Sequence, residues 1–259
     1  MQNGGEPMHL FLVNDDGVGA KGIMALLRAA VRRGHEVTMC APATQQSATS
    51  HRFTLSEPVF AREYPLQEPG CRGWAVGGSP ADCVRVGLSH LVDRPVDAVI
   101  SGINDGYNAG VAVHYSGTVG AAMEGAFHHL PSIAASIHHK ATPEMLDHLA
   151  DFTIRMAEQY ALRKLPGDMI LNINAPLAAP ADVKEPVYAP LDTACFIDRY
   201  ERHETPRAGS CFFLDNSSSM EPFVEGSDND CLQKGHITLT LMGHPASMDK
   251  AFWDGLNIR

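Results

Sequence analysis

The chain begins its pattern with a short apolar run, Leu10-Phe11-Leu12-Val13, that breaks at Asn14-Asp15-Asp16-Gly17. An extended segment that is apolar on both faces suits a central parallel strand covered by helices on each side. Ile23, Leu26, Leu27, Ala30 and Val31 then recur at helical spacing, and Gly34 closes the pattern. A second extended run, residues 37–40, ends at Ala41-Pro42, giving one strand–helix–strand unit. The theme repeats. Ser79-Pro80-Ala81-Asp82 places an N-cap before a proline at the first helical position, with Val84, Val86, Leu88 and Leu91 behind it. Further strands are predicted over 97–100, 133–137 and 169–173. Helices are predicted from Ser116-Gly117-Thr118 to about residue 129 and, amphipathic, over 144–163.

Past Pro176 the texture changes. Prolines and polar runs interrupt the pattern, residues 237–241 alternate with period two, and a last helix is predicted over 248–256. Residues 53–74, rich in Pro and Glu, read as a hairpin or protruding loop. The expected fold class is therefore α/β with a mostly parallel central sheet. Its core spans residues 8–176, and an irregular, β-containing C-terminal extension over 177–259 carries a hairpin and returns to the core.

Charge narrows the partners. A net charge of −10 over 259 residues argues against a nucleic-acid backbone, which is bound by clustered Lys and Arg. A small phosphorylated molecule remains open, since a divalent cation can supply positive charge locally. The six cysteines include no C-x-x-C pair and read as free thiols of a reducing cytoplasm. The polar start and the short apolar stretch at 9–13 give no targeting or membrane-spanning segment, so a cytoplasmic protein without a membrane partner is expected.

Three polar turns carry the candidate chemistry. Asp15 and Asp16 are adjacent carboxylates at a strand end, costly to bury unless something positive is shared, and hard oxygen ligands of this kind suit Mg²⁺ or Mn²⁺. An Asx-turn with a helix cap accounts for the same letters. The second turn, residues 101–110, is dense in Asn and Gly. The third, residues 115–120, opens a helix whose N–H groups and hydroxyls can meet an anion, or whose serine is an ordinary cap. No P-loop or G-x-G-x-x-G fingerprint occurs. In a doubly wound sheet such turns converge on one edge. Other residues read more plainly. Asp82 is a first-turn carboxylate, Trp74 and Trp253 are packing anchors, and Arg28, Arg32 and Arg33 lie on a solvated helix side. The pairs His128-His129 and His138-His139 lack metal-ligand spacing, and His114 could donate a proton near the third turn.

The blocks Leu12-Val13-Asn14-Asp15-Asp16-Gly17-Val18, Ala41-Pro42 with Gln46-Ser47-Ala48, and Gly78-Ser79-Pro80-Ala81-Asp82-Cys83-Val84 resemble the stationary-phase survival protein family, SurE. So do the stretch 101–125 and Leu171-Asn172-Ile173-Asn174-Ala175-Pro176. The resemblance implies a Rossmann-like three-layer sandwich that hydrolyses nucleoside 5′- and 3′-monophosphates with one divalent cation per subunit, Mg²⁺ or Mn²⁺. By position it puts the metal ligands at Asp15, Asp16, Ser47 and Asn104, and it makes Asp15, Asp16 and Asn108 catalytic. Ser116, Gly117 and Thr118 match the phosphate-contacting turn. It also implies homodimers, often homotetramers, through the C-terminal extension. The family's closing D-x-T segment is replaced here by residues 242–247, which makes a homodimer the assembly expected. Two alternatives stay open: a nucleotide-binding regulator without turnover, and a phosphatase acting mainly on short polyphosphate or another phosphomonoester. Water and an aspartate both remain as nucleophile.

Overall fold

In the computed structural model, which describes residues 6–161, 169–207, 209–215 and 219–243, the first apolar run is β1 (His9–Val13), buried along its whole length. Leu10 and Leu12 join one apolar cluster, Phe11 and Val13 another. That split is the period-two consequence of a strand covered on both faces. The chain continues through α1 (Lys21–Arg32), β2 (Glu36–Pro42), and the antiparallel pair β3 (Ala61–Tyr64) and β4 (Cys71–Val76), so residues 53–74 contain a hairpin. Next come α2 (Pro80–Val86), β5 (Ala98–Asp105), α3 (Gly117–Phe127), β6 (Ser132–Ile137), α4 (Pro143–Ala161) and β7 (Met169–Ala175). Ser79 caps α2 in a reciprocal capping box with Asp82. The remaining elements are β8 (Lys184–Tyr188), β9 (Phe196–Ile197), β10 (Tyr200–Thr205), β11 (Gly209–Leu214), β12 (Ser219–Met220), α5 (Asp228–Gln233) and β13 (His236–Gly243).

The central sheet has the order β3-β4-β2-β1-β5-β6-β7-β13-β8. From β4 through β7 neighbouring strands run parallel, while β3 and β13 are antiparallel to β4 and β7. Helices α1 and α4 pack together on one face, α2 and α3 on the other, giving the three layers expected. Strand order reverses between β1 and β5, because the chain builds β2 on one side of β1 and later returns to build β5 on the other. The crevice beyond the carboxyl ends of those two strands is where such a sheet accepts a ligand.

One reading changes. The sequence predicts a strand ending near residue 100, yet β5 runs on to Asp105. Ser101 and Asn104 still pair with Ala134 and Ser136, across a register shift, so the polar letters mark an irregular strand end rather than a loop. The period-two segment near 237–241 does form a strand, and β13 sits inside the sheet between β7 and β8. The predicted helix over 248–256, with Trp253, lies outside the described residues. Among the described residues no helix is long and apolar enough to cross a membrane. The six cysteines are free.

Candidate functional site

The turn after β1 is made by Asn14, not by the carboxylates. Its buried amide donates through Nδ2 to the Gly17 carbonyl (2.9 Å) and accepts through Oδ1 from the Gly17 N–H (3.1 Å). Gly17 has φ +108°, a conformation that other residues adopt only with strain. The N-cap of α1 is Ala20, with no side-chain cap bond. An Asx-type turn is therefore present, as one reading allowed, but Asp15 and Asp16 serve neither that turn nor a cap of α1.

Asp15 is 3% exposed and takes both donors of Thr118: the N–H to Oδ2 (3.2 Å) and the hydroxyl to Oδ1 (2.5 Å). Burial pushes its carboxyl up to about 6, the Thr118 bonds opposing and the Asp16 charge adding. Asp16 is half-buried and accepts from the Asp105 N–H (3.0 Å) and, at 3.4 Å, from the Gln45 amide. Burial raises it as well, with the Asp105 charge contributing in the same direction. Among the described residues no Lys or Arg forms a salt bridge with either carboxylate.

The other residues singled out by resemblance lie on the elements around this pair. Asn104 lies near the end of β5 and gives its Nδ2 to the Gly106 carbonyl (2.7 Å), leaving Oδ1 as the oxygen it can offer. Ser47 is exposed on the loop after β2. That loop is stitched to the β1 turn by the Gln46 N–H, which donates to the Asp15 carbonyl (2.7 Å). Ser116 caps α3, its Oγ accepting from the Val119 N–H (3.1 Å), and Gly117 is the first helical residue. With Thr118 committed to Asp15, the Ser116 hydroxyl proton and the Gly117 N–H are the donors left at this turn.

Asn108 is buried and pinned by β6 and β7. Its Nδ2 donates to Ser136 Oγ (2.8 Å), its N–H to Asn174 Oδ1 (2.9 Å), and its carbonyl accepts from Asn172 (2.8 Å) and Asn174 (2.9 Å). Sequence reading misses those partners. Their signal is there: Asn172 and Asn174 alternate on one face of a buried, otherwise apolar strand. Asp105 and Gln45 at Asp16 leave no such trace. A cavity of about 260 Å³ beside Asp16 is lined by Lys21, Gln45, Ile103, Asp105, His139 and Leu146, among others. His114 is exposed and offers its carbonyl to Ser50 Oγ, while His138 and His139 stack on each other at 4.1 Å. No group of three or more His, Cys, Asp or Glu that could hold a metal ion occurs among the described residues. A cation here would have to combine the two carboxylates with neutral oxygens.

Fold and site define a doubly wound α/β protein whose polar cluster, centred on an uncompensated carboxylate pair, sits at the switch point of the sheet. The chain belongs to the SurE family: the family model described as survival protein SurE matches residues 10–196. It is 34% identical over 258 residues to a protein named 5′-nucleotidase SurE from Prochlorococcus marinus (strain MIT 9515), covering 96% of this chain and 94% of that one. It is 39% identical over 237 residues to another so named from Desulfovibrio desulfuricans (strain ATCC 27774 / DSM 6949 / MB), covering 90% and 91%. The crystal structure of the SurE protein from Aquifex aeolicus superposes with a TM-score of 0.78 at 28% identity, covering 96% of this chain and 98% of that one.

Proposed function

We propose that this chain hydrolyses nucleoside 5′- and 3′-monophosphates to nucleoside and phosphate, using one Mg²⁺ or Mn²⁺ per subunit held by Asp15, Asp16, Asn104 and Ser47. Family membership and the names of the relatives support the activity. The observation that carries the site is the carboxylate pair itself: among the described residues neither member is salt-bridged to a basic side chain, and the buried one, pushed up to about 6, lies against the start of α3. Two carboxylates, an amide oxygen and a hydroxyl form a hard-oxygen donor set that suits Mg²⁺ or Mn²⁺ better than zinc. When bound, the cation would supply Lewis-acid stabilisation of phosphoryl charge and acidify water.

The chain's own residues supply the rest. Both oxygens of Asp15 are engaged by Thr118, which suits a fixed ligand and favours water over Asp15 as the nucleophile. The Ser116 hydroxyl and the Gly117 N–H, at the positive end of α3, donate to phosphoryl oxygens as charge builds in a loose transition state. Thr118 belongs to this phosphate turn and sets the Asp15 carboxylate against it. Asn108, pinned by Ser136, Asn172 and Asn174, holds the segment after Asn104, and we assign its carboxamide to orienting the phosphoryl group.

Core residues 8–176 carry this site, and residues 177–259 contribute contacts to a second copy in a homodimer. Exposed Tyr200, Phe212, Phe213 and Leu214 on the β10–β11 hairpin support that assignment. Free cysteines are in keeping with a cytoplasmic location. The test is phosphate release from a panel of 5′- and 3′-nucleotides in EDTA, Mg²⁺ or Mn²⁺, comparing wild type with Asp15→Asn. Release restored by metal and abolished by the substitution is the expected result. No release with any metal would leave a binding protein on the same fold.

A further inference from the structure

Ser47 stands on a loop whose shape needs explaining. Between β2 and β3 the chain places two non-glycine residues, Ala48 (φ 57°) and Ser50 (φ 54°), in the left-handed region. A chain does not choose that conformation unless its surroundings impose it. Around the β1 turn the imposing contact is the Gln46 N–H on the Asp15 carbonyl. Beyond Ser47 the loop is held by Ser50, whose N–H donates to the Tyr115 carbonyl (3.0 Å) and whose hydroxyl donates to the His114 carbonyl (2.7 Å), and by two buried carboxylates on the helices beneath.

Asp82 accepts from the Thr54 N–H (2.8 Å) and hydroxyl (2.7 Å) in addition to closing the capping box of α2. Glu124 lies two turns along α3 from Gly117 and is 4% exposed. Its Oε2 accepts from His51 Nε2 at 2.8 Å, and its Oε1 accepts from Arg85 at 2.9 Å, with His128 at 3.7 Å. His51 stacks on Phe127 with centroids 5.5 Å apart, and Arg85 covers Phe53 at 4.7 Å. The loop lies so close on α3 that a Cβ at Gly120 would stand 2.8 Å from the Ser50 carbonyl oxygen and 2.9 Å from His51 Cα. Burial alone would raise the Glu124 carboxyl, but the His51 bond and the Arg85 charge outweigh it and hold it below the usual range. A neutral imidazole already donates one N–H, so the bond does not require a protonated His51.

Glu124 touches none of the groups assigned to the cation, yet its partner His51 is four residues from Ser47 on one continuous loop. We propose that Glu124 is a positioning residue of the cation site: through His51 it fixes the 43–54 loop and thereby the Ser47 hydroxyl. The inference rests on the cation reading above. Helix α3 then serves two ends of one device, its first turn holding phosphate and Asp15, its third holding the loop that completes the donor set.

The test is direct Mn²⁺ binding to the full chain without substrate, read from loss of the free-ion paramagnetic signal, with rates at saturating Mn²⁺ alongside. His51→Ala should weaken Mn²⁺ binding about tenfold, the low end for residues that support a ligand. The maximal rate at saturating metal should stay within about twofold, since only ligand placement is lost. His51→Gln, whose amide can donate in place of the ring, should restore binding to within about threefold. Glu124→Gln should behave like His51→Ala. Because removing a buried charge can prevent folding, the partly exposed His51 is the deciding position, with the melting transition as the check on fold. Unchanged Mn²⁺ affinity in His51→Ala would overturn this inference alone, provided wild type binds and Asp16→Asn does not. Absence of Mn²⁺ binding by wild type would overturn the cation reading and this inference together.

Discussion

Asp147, Asp151 and Glu158 on α4 are the same chemical groups as Asp15 and Asp16, placed in opposite circumstances. On the outer face each meets an arginine of the α1 end: Arg28 at 3.0 Å, Arg32 at 2.8 Å and Arg33 at 2.7 Å. The Arg33 guanidinium, joined by His35, holds Glu158 below the usual carboxylate range. These arginines read from sequence as a solvated helix side, and they are in fact the pairing partners of the neighbouring helix. At the end of β1 two carboxylates sit together, the deeper one without an ionic partner among the described residues and pushed up to about 6. Where charge is paired, it helps dock α1 on α4 at little net gain, because exposed ion pairs are each worth about 0–1 kcal/mol. Where it is left without a basic partner in a crevice, ionisation carries a cost that a bound cation would relieve. Perturbed groups of that second kind mark function.

The comparison can be broken at four points. Asp16→Asn removes half of the carboxylate pair and should lower kcat/KM for nucleotide hydrolysis by at least about a hundredfold, comparable to losing a principal electrostatic group. Steady-state rates with excess Mn²⁺ check it, and a loss under about tenfold would mean the pair does not carry the chemistry. Thr118→Val keeps shape but strips the hydroxyl from Asp15 Oδ1. The metal concentration for half-maximal rate should rise about tenfold, measured by Mn²⁺ titration of the rate.

Without metal, the pair should also make its cost visible in stability. The native Asp15 carboxyl, at about 6 against an ordinary 3.8, binds its proton more tightly than in the unfolded chain. The cost of ionising it is absent below about pH 4, grows between the two values, and is complete above about pH 6, reaching about 3 kcal/mol. Urea denaturation in EDTA should therefore show Asp15→Asn gaining on wild type by up to that amount between about pH 4 and pH 7.5. Added Mn²⁺ should reverse the gap at the higher pH, since it stabilises only the protein that binds it. A gap that does not change with pH would contradict the raised carboxyl. The smallest effect belongs to the outer ladder: Arg32→Ala should cost under about 1 kcal/mol, fade further in high salt, and leave the rate unchanged.

Much of this is legible in the chain, for local reasons. The continuous apolar run of β1, the Ser79-Pro80 helix start and the Asp-Asp-Gly break each follow from neighbours within a few residues. What escapes depends on contacts distant in sequence. Asn108 meets Asn174 across 66 positions, Asp16 meets Asp105 across 89, and His51 meets Glu124 across 73. Nothing in the letters around His51 distinguishes a clamp from any other loop histidine. The end of β5 is misjudged from sequence because Ser101, Gly102 and Asn104 carry turn chemistry, whereas pairing with β6 and burial decide the outcome there. The place of β13 inside the sheet is likewise beyond a period-two pattern, which announces a strand but not its neighbours.

The most direct measurement is anomalous diffraction from crystals grown with Mn²⁺ and phosphate. One peak per subunit within about 2.2 Å of carboxylate oxygens of Asp15 and Asp16, with phosphate against the Ser116–Gly117 turn, is the expected result. A peak elsewhere, or none in crystals that bind phosphate at that turn, would contradict the claim that the uncompensated pair exists to hold a catalytic cation.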